Sequence, residues 1–175
     1  MLTITAHIST DEMLLDWGIA EAETRCASYL HPDTLSRIRA KEALTPADRA
    51  TLIAIIRQIR QPLLDFGIDP PTTWHSAKLQ VADLGGIRLI RYFSVQRLAD
   101  LAATDNPYTR RDFTPSKARG RPIFVGPTLE GPWNLLEGTH RCCGMIKTGL
   151  SNGQQDQLDV IVGVCPSVTR WHFWR

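Results

Sequence analysis

The chain has 175 residues, of which 43% are hydrophobic and 22% charged, and its formal net charge is +2. That length and apolar content suit one domain, or one domain with an extension, able to bury a core. The near-neutral balance excludes a bulk-charge argument for nucleic-acid binding, so any preference for anions has to come from a local patch.

Cys26, Cys142, Cys143 and Cys165 show no Cys-x-x-Cys spacing. They read as buried free thiols of a reducing compartment rather than as a disulfide framework or metal ligands. The N-terminus has no basic region followed by a long apolar run, so no signal peptide is expected. No segment approaches the ~18 apolar residues of a membrane span. The expectation is a soluble, cytoplasmic protein.

In chain order, Leu2-Thr3-Ile4-Thr5 carries a weak strand alternation. Ser9-Thr10-Asp11 offers N-caps for a helix running through Met13, Leu14, Leu15, Trp17 and Ile19 towards Leu30. His31-Pro32-Asp33 breaks it, and Asp33 or Thr34 caps a second helix through Leu35 and Ile38. Thr45-Pro46 opens a third, whose wide apolar face is Leu52, Ile53, Ile55, Ile56 and Ile59. Arg57 and Arg60 are assigned to its solvated face. Pro62 kinks or ends this helix, and Gly67 with Asp69-Pro70-Pro71 closes the region. Residues 1–70 thus read as an N-terminal helical region.

Residues 71–175 read as an α/β core. Trp74-His75 is a candidate edge of the pocket and Asp83, before Gly85-Gly86, a candidate metal or acceptor-side carboxylate, neither with a supporting spacing. Ile87 to Phe93 is a strand, and Ser94 caps a helix through Leu98 and Leu101. Residues 104–120 are loop-like, and five basic residues lie between 110 and 121: Arg110, Arg111, Lys117, Arg119 and Arg121. Such a loop serves as solvated surface or as a lid gripping phosphate through bidentate Arg contacts. Pro122 to Val125 and Trp133 to Leu136 are strands, Thr139 to Thr148 is a helix ended by Gly149, and Leu158 to Val164 is a buried strand. The aromatic ending, Trp171, Phe173 and Trp174, reads as a cover for the core edge.

The chemistry gathers at Glu137-Gly138-Thr139-His140-Arg141, where a strand ends on an acid, turns at glycine and enters a helix. The first N–H groups of a helix have no internal partner and favour anions. Gly138 supplies a positive φ or close approach of a phosphate. Thr139, His140 and Arg141 add donors. Glu137 serves as a base, or as a carboxylate for Mg²⁺.

With its flanking strands, this stretch resembles the ParB/sulfiredoxin superfamily, the ParB-like nuclease domain group. The matching features are Pro122-Ile123-Phe124-Val125, the acid-Gly-x-His-Arg run at 137–141, and the final strand at Val160-Ile161-Val162. The resemblance covers about half the chain and leaves the N-terminal helices unexplained. It implies a mixed α/β (α+β) core that binds a nucleoside triphosphate, ATP or CTP, with Mg²⁺. Gly138, Thr139 and Arg141, assisted by Arg119 and Arg121, would hold phosphate. Glu137 and His140 would be catalytic in a kinase-like transfer or a hydrolysis, with Glu137 also on the metal. Thr139 stands where sulfiredoxins carry their reactive Cys, which argues against thiol repair chemistry. No helix-turn-helix follows the final strand, which argues against chromosome partition. Two alternatives remain at this stage. One is a nucleic-acid-binding or nuclease-like module that uses the basic loop 110–121. The other is a catalytically inactive protein-binding module presenting the N-terminal helices. Oligomeric state is left open.

Overall fold

A six-stranded mixed sheet forms the centre of the computed structural model, which describes residues 2–64, 72–109, 119–148 and 157–174. Its strands are β1 (Thr3–Ile8), β2 (Thr73–Gln80), β3 (Arg88–Leu89), β4 (Ile123–Gly126), β5 (Asn134–Glu137) and β6 (Gln157–Val164), in the spatial order β1-β2-β6-β4-β5-β3. β6 runs antiparallel to β2 and parallel to β4, while β5 is antiparallel to β4 and parallel to β3. The helices are α1 (Thr10–Glu21), α2 (Pro32–Ala40), α3 (Pro46–Leu64), α4 (Leu98–Ala102) and α5 (Thr139–Lys147). The mixed α/β class is as expected.

The sheet divides two apolar clusters. On one face, Ile123, Val125, Leu136 and Ile161 pack with α1, α2, α3 and the C-terminal Trp171 and Trp174. On the other, Phe124, Leu135, Val160 and Val162 pack with α4, α5 and the 3-10 turn Val81–Gly86. The β-branched run of β6 follows from this, since a central strand covered on both sides needs apolar residues at successive positions. The C-terminal tryptophans cover the core edge, and all four cysteines are buried free thiols. Burial pushes Cys26 and Cys143 each up to about 11, and Cys142 upward as well, which disfavours their thiolates.

Several boundaries differ from those expected. The N-terminal region is not purely helical, because β1 joins the sheet as an edge strand beside β2. β2 itself escaped the sequence pattern: Ser76 points to the α1 face and bonds Arg121, which blurs the apolar alternation. α1 begins at a capping box between Ser9 and Glu12 and stops at Glu21, well short of Leu30. His31, not Asp33 or Thr34, caps α2, its Nδ1 accepting from the Asp33 N–H at 3.3 Å. α3 continues past Pro62 to Leu64. β3 is only two residues long, and Ser94 does not cap α4. Backbone bonds from Leu89 N–H to Gln96 and from Leu98 N–H to Ile87 fold residues 90–96 into a turn instead. Arg110, Arg111, Lys117 and Gly149 lie outside the described residues. Among the described residues no helix is long and apolar enough to cross a membrane.

Candidate functional site

The corner at 137–141 forms as expected, with Asn134–Glu137 as strand and Thr139–Lys147 as helix. Gly138 occupies the N-cap position at φ 101°, and no side chain caps the helix. A Cβ there would stand 3.0 Å from Pro122 Cβ and 3.1 Å from Pro122 Cα, so the backbone conformation calls for glycine and the space beside Pro122 is tight for anything larger. Thr139 is half-buried and His140 exposed at this start.

Glu137 owes its direction to a β-bulge. Ile123 pairs with Glu137 and Phe124 with Leu135, which leaves Leu136 as the extra residue. The bulge turns Glu137 onto the face shared by Ile123 and Leu136, beneath α1 and α3. Burial raises the pKa of this carboxyl above the ordinary value, against the opposing pull of Arg60, Arg141, the Gly138 N–H and Arg25. A carboxyl raised in the fold stabilises it at pH below the unfolded pKa, and that contribution is lost as pH rises through the folded value. Glu137 therefore weighs against folding at neutral pH, as groups kept for chemistry commonly do.

Arg60 is not on a solvated face. Its side chain is 15% exposed, its guanidinium pairs with Glu21 and it lies 5.4 Å over the Trp17 ring. Glu21, with its side chain 6% exposed, also accepts from Trp17 Nε1 at 3.1 Å. Neither Arg60 nor Glu21 was singled out for the site, yet a signal existed. Arg60 continues the buried Leu52-Ile56 stripe at i+4, and Glu21 continues Trp17 in the same way. Arg57, by contrast, is exposed and pairs with Asp11 at 3.2 Å.

The other basic residues hold the strap 119–121. Arg141 donates to the carbonyls of Gly120 and Arg119, leaving its buried Nε without a partner. Arg119 donates to the Ile38 and Arg39 carbonyls at 3.3 and 3.0 Å, capping the C-terminus of α2. Arg121 pairs with Asp16, its Nε 2.7 Å from Oδ2, and reaches Ser76 Oγ at 2.6 Å. The guanidiniums of Arg119 and Arg121 are thus committed to internal contacts rather than aimed at the start of α5. Two of the five basic residues behind the nucleic-acid alternative are used in this way. His140 Nδ1 lies 3.2 Å from the Tyr108 carbonyl, with its ring 4.8 Å from that of Tyr108, so the acceptor makes Nδ1 the protonated nitrogen. His75 faces His7 across β1 and β2, and Asp83 lies in the 3-10 turn on the opposite face of the sheet from Glu137.

Among the described residues no group of three or more His, Cys, Asp or Glu side chains could hold a metal ion. Glu137 is a single carboxylate with three guanidiniums acting on it, a donor set that does not by itself suit a divalent cation. No family model, curated protein or solved structure matches the chain.

Proposed function

We propose that the protein binds the phosphates of a nucleoside triphosphate at the Gly138–Arg141 start of α5 and transfers or hydrolyses the terminal phosphoryl group. The observation that carries this reading is the adjacency of a helix start that no side chain caps and the half-buried carboxyl of Glu137, whose pKa is raised by desolvation. The first-turn N–H groups and the positive end of the helix favour phosphate oxygens. The acceptor's oxygen, from a hydroxyl or water, forms the new P–O bond. The bond to the nucleoside diphosphate breaks, and Glu137 takes the acceptor's proton. A carboxyl raised by burial is suited to this because a base works best with a pKa near the working pH. Arg141 contributes positive charge from beneath the turn while its donors hold the strap. His140 stands exposed at this start with its ring against Tyr108 and its Nδ1 on the Tyr108 carbonyl. Mg²⁺ would arrive with the phosphates.

Calorimetric titration with ATP, CTP, GTP and ADP tests the reading. At least one triphosphate should bind, and Thr139→Asp should abolish that binding while preserving the fold. An acid in the first turn suits the helix dipole but repels phosphate. Glu137→Gln should keep binding and lower turnover by roughly 10²–10⁴-fold. Absence of binding to every nucleotide, or Thr139→Asp binding as tightly as the wild type, would overturn the reading.

A further inference from the structure

His7 on β1 and His75 on β2 stand directly opposite each other in the antiparallel ladder, their ring centroids 5.6 Å apart and the rings nearly perpendicular at 88°. Both lie on the α4–α5 face of the sheet. Their neighbours Ile8 and Trp74 belong to the other cluster, and Val162, paired with His75 from β6, packs with α4 and α5. β1 is the edge of the sheet, where His7 is exposed and His75 half-buried. Among the described residues neither imidazole makes a hydrogen bond or an ion pair. His31 and His140 differ, since each engages Nδ1 with the backbone.

We propose that His7 and His75 form a two-imidazole clamp for a divalent first-row metal ion of the Cu²⁺, Ni²⁺ or Zn²⁺ kind, which pins the edge strand β1 to the sheet. Imidazole nitrogens suit these ions, whereas Mg²⁺ and Ca²⁺ are bound through oxygen. With each nitrogen ~2.1 Å from a tetrahedral ion, two ring centroids stand roughly 5 Å apart. The separation of 5.6 Å is close to that, and small side-chain rotations cover the difference. Residues directly opposite in an antiparallel pair already hold their Cβ atoms about 4.5–5.5 Å apart, so the backbone has no need to move. Water completes the coordination from the open side of β1. Burial, and then His7, lowers the pKa of His75, which favours the neutral form that binds metal. The clamp lies on the opposite face of the sheet from Glu137 and stands whether or not the 137–141 corner binds phosphate.

Titration of the ¹⁵N-labelled full chain with Zn²⁺, followed by NMR of the imidazole rings, tests the clamp without any nucleotide. The ring signals are assigned by their loss in His7→Ala and His75→Gln. The rings of His7 and His75 should respond together, with one midpoint, at Zn²⁺ concentrations below those that move His31 or His172. Because the second imidazole binds within the same molecule, His7→Ala should weaken the His75 response by roughly 10²-fold, and His75→Gln the His7 response likewise. His7 is exposed, so its variant decides alone should the His75 variant fail to fold. A His75 response that is as strong in His7→Ala as in the wild type overturns the proposal. So does a response of the pair no tighter than that of His31 and His172, or none at millimolar Zn²⁺.

Discussion

Replacing Arg60 with methionine should destabilise the protein by about 3–5 kcal/mol near neutral pH, the usual cost of breaking one side of a buried ion pair. Methionine keeps much of the stem that packs on Trp17, so the loss reports charge rather than a cavity. What remains is Glu21, with a side chain only 6% exposed, and a Glu137 that has lost the first-named of its opposing cations. The penalty should depend on pH. Removing Arg60 raises the folded pKa of Glu137 further, and stability tied to a raised carboxyl is present below the unfolded pKa and lost as pH rises. Denaturant titrations should therefore show the gap between variant and wild type widening from about pH 4 to about pH 8. A cost below about 1 kcal/mol, typical of exposed pairs, or one that stays flat with pH, would contradict the buried network.

Gly120→Ala should cost about 3–4 kcal/mol, from a left-handed conformation worth roughly 1–2 kcal/mol plus steric overlap. Gly120 sits at φ 64°, and a Cβ would stand 2.5 Å from the Asp16 carbonyl oxygen and 2.8 Å from Ala20 Cβ. Neither neighbour can yield, because one is helix backbone and the other a methyl fixed on α1. The strap would be lifted off α1, withdrawing from Arg141 the Gly120 and Arg119 carbonyls that its guanidinium donates to. Phosphate binding should fall together with stability. Gly120→Asn separates the two contributions: asparagine tolerates positive φ but still carries the clashing Cβ, so it should recover only the backbone part. An alanine variant as stable as the wild type in thermal unfolding would show that the strap is not packed as described.

The strand-turn-helix corner was legible because its signals are local: an apolar run, a glycine needing positive φ, and a helix that starts at the next residue. The same holds for Thr45-Pro46, which opens α3 through a box in which Thr45 and Asp48 bond each other's backbone N–H. What escaped depends on distant partners. Ser76 looks like a break in a strand until Arg121, 45 residues away, is seen to bond it. Arg60 looks solvated until Glu21 and Trp17 are brought beneath it by the α1–α3 packing. Arg119 and Arg121 were read as free cations of a basic loop, whereas α2 carbonyls and Asp16 take their donors. The direction of Glu137 rests on a one-residue bulge, which no alternation pattern announces.

The central claim is that phosphates sit at the start of α5, and backbone amide NMR during titration with ATP tests it most directly. The account predicts that the amides of Thr139, His140 and Arg141 move first and furthest, that tripolyphosphate moves the same amides, and that Thr139→Asp abolishes both responses. Amides at 139–141 that stay fixed while ATP binds elsewhere, or a spectrum unchanged at saturating ATP, would contradict it.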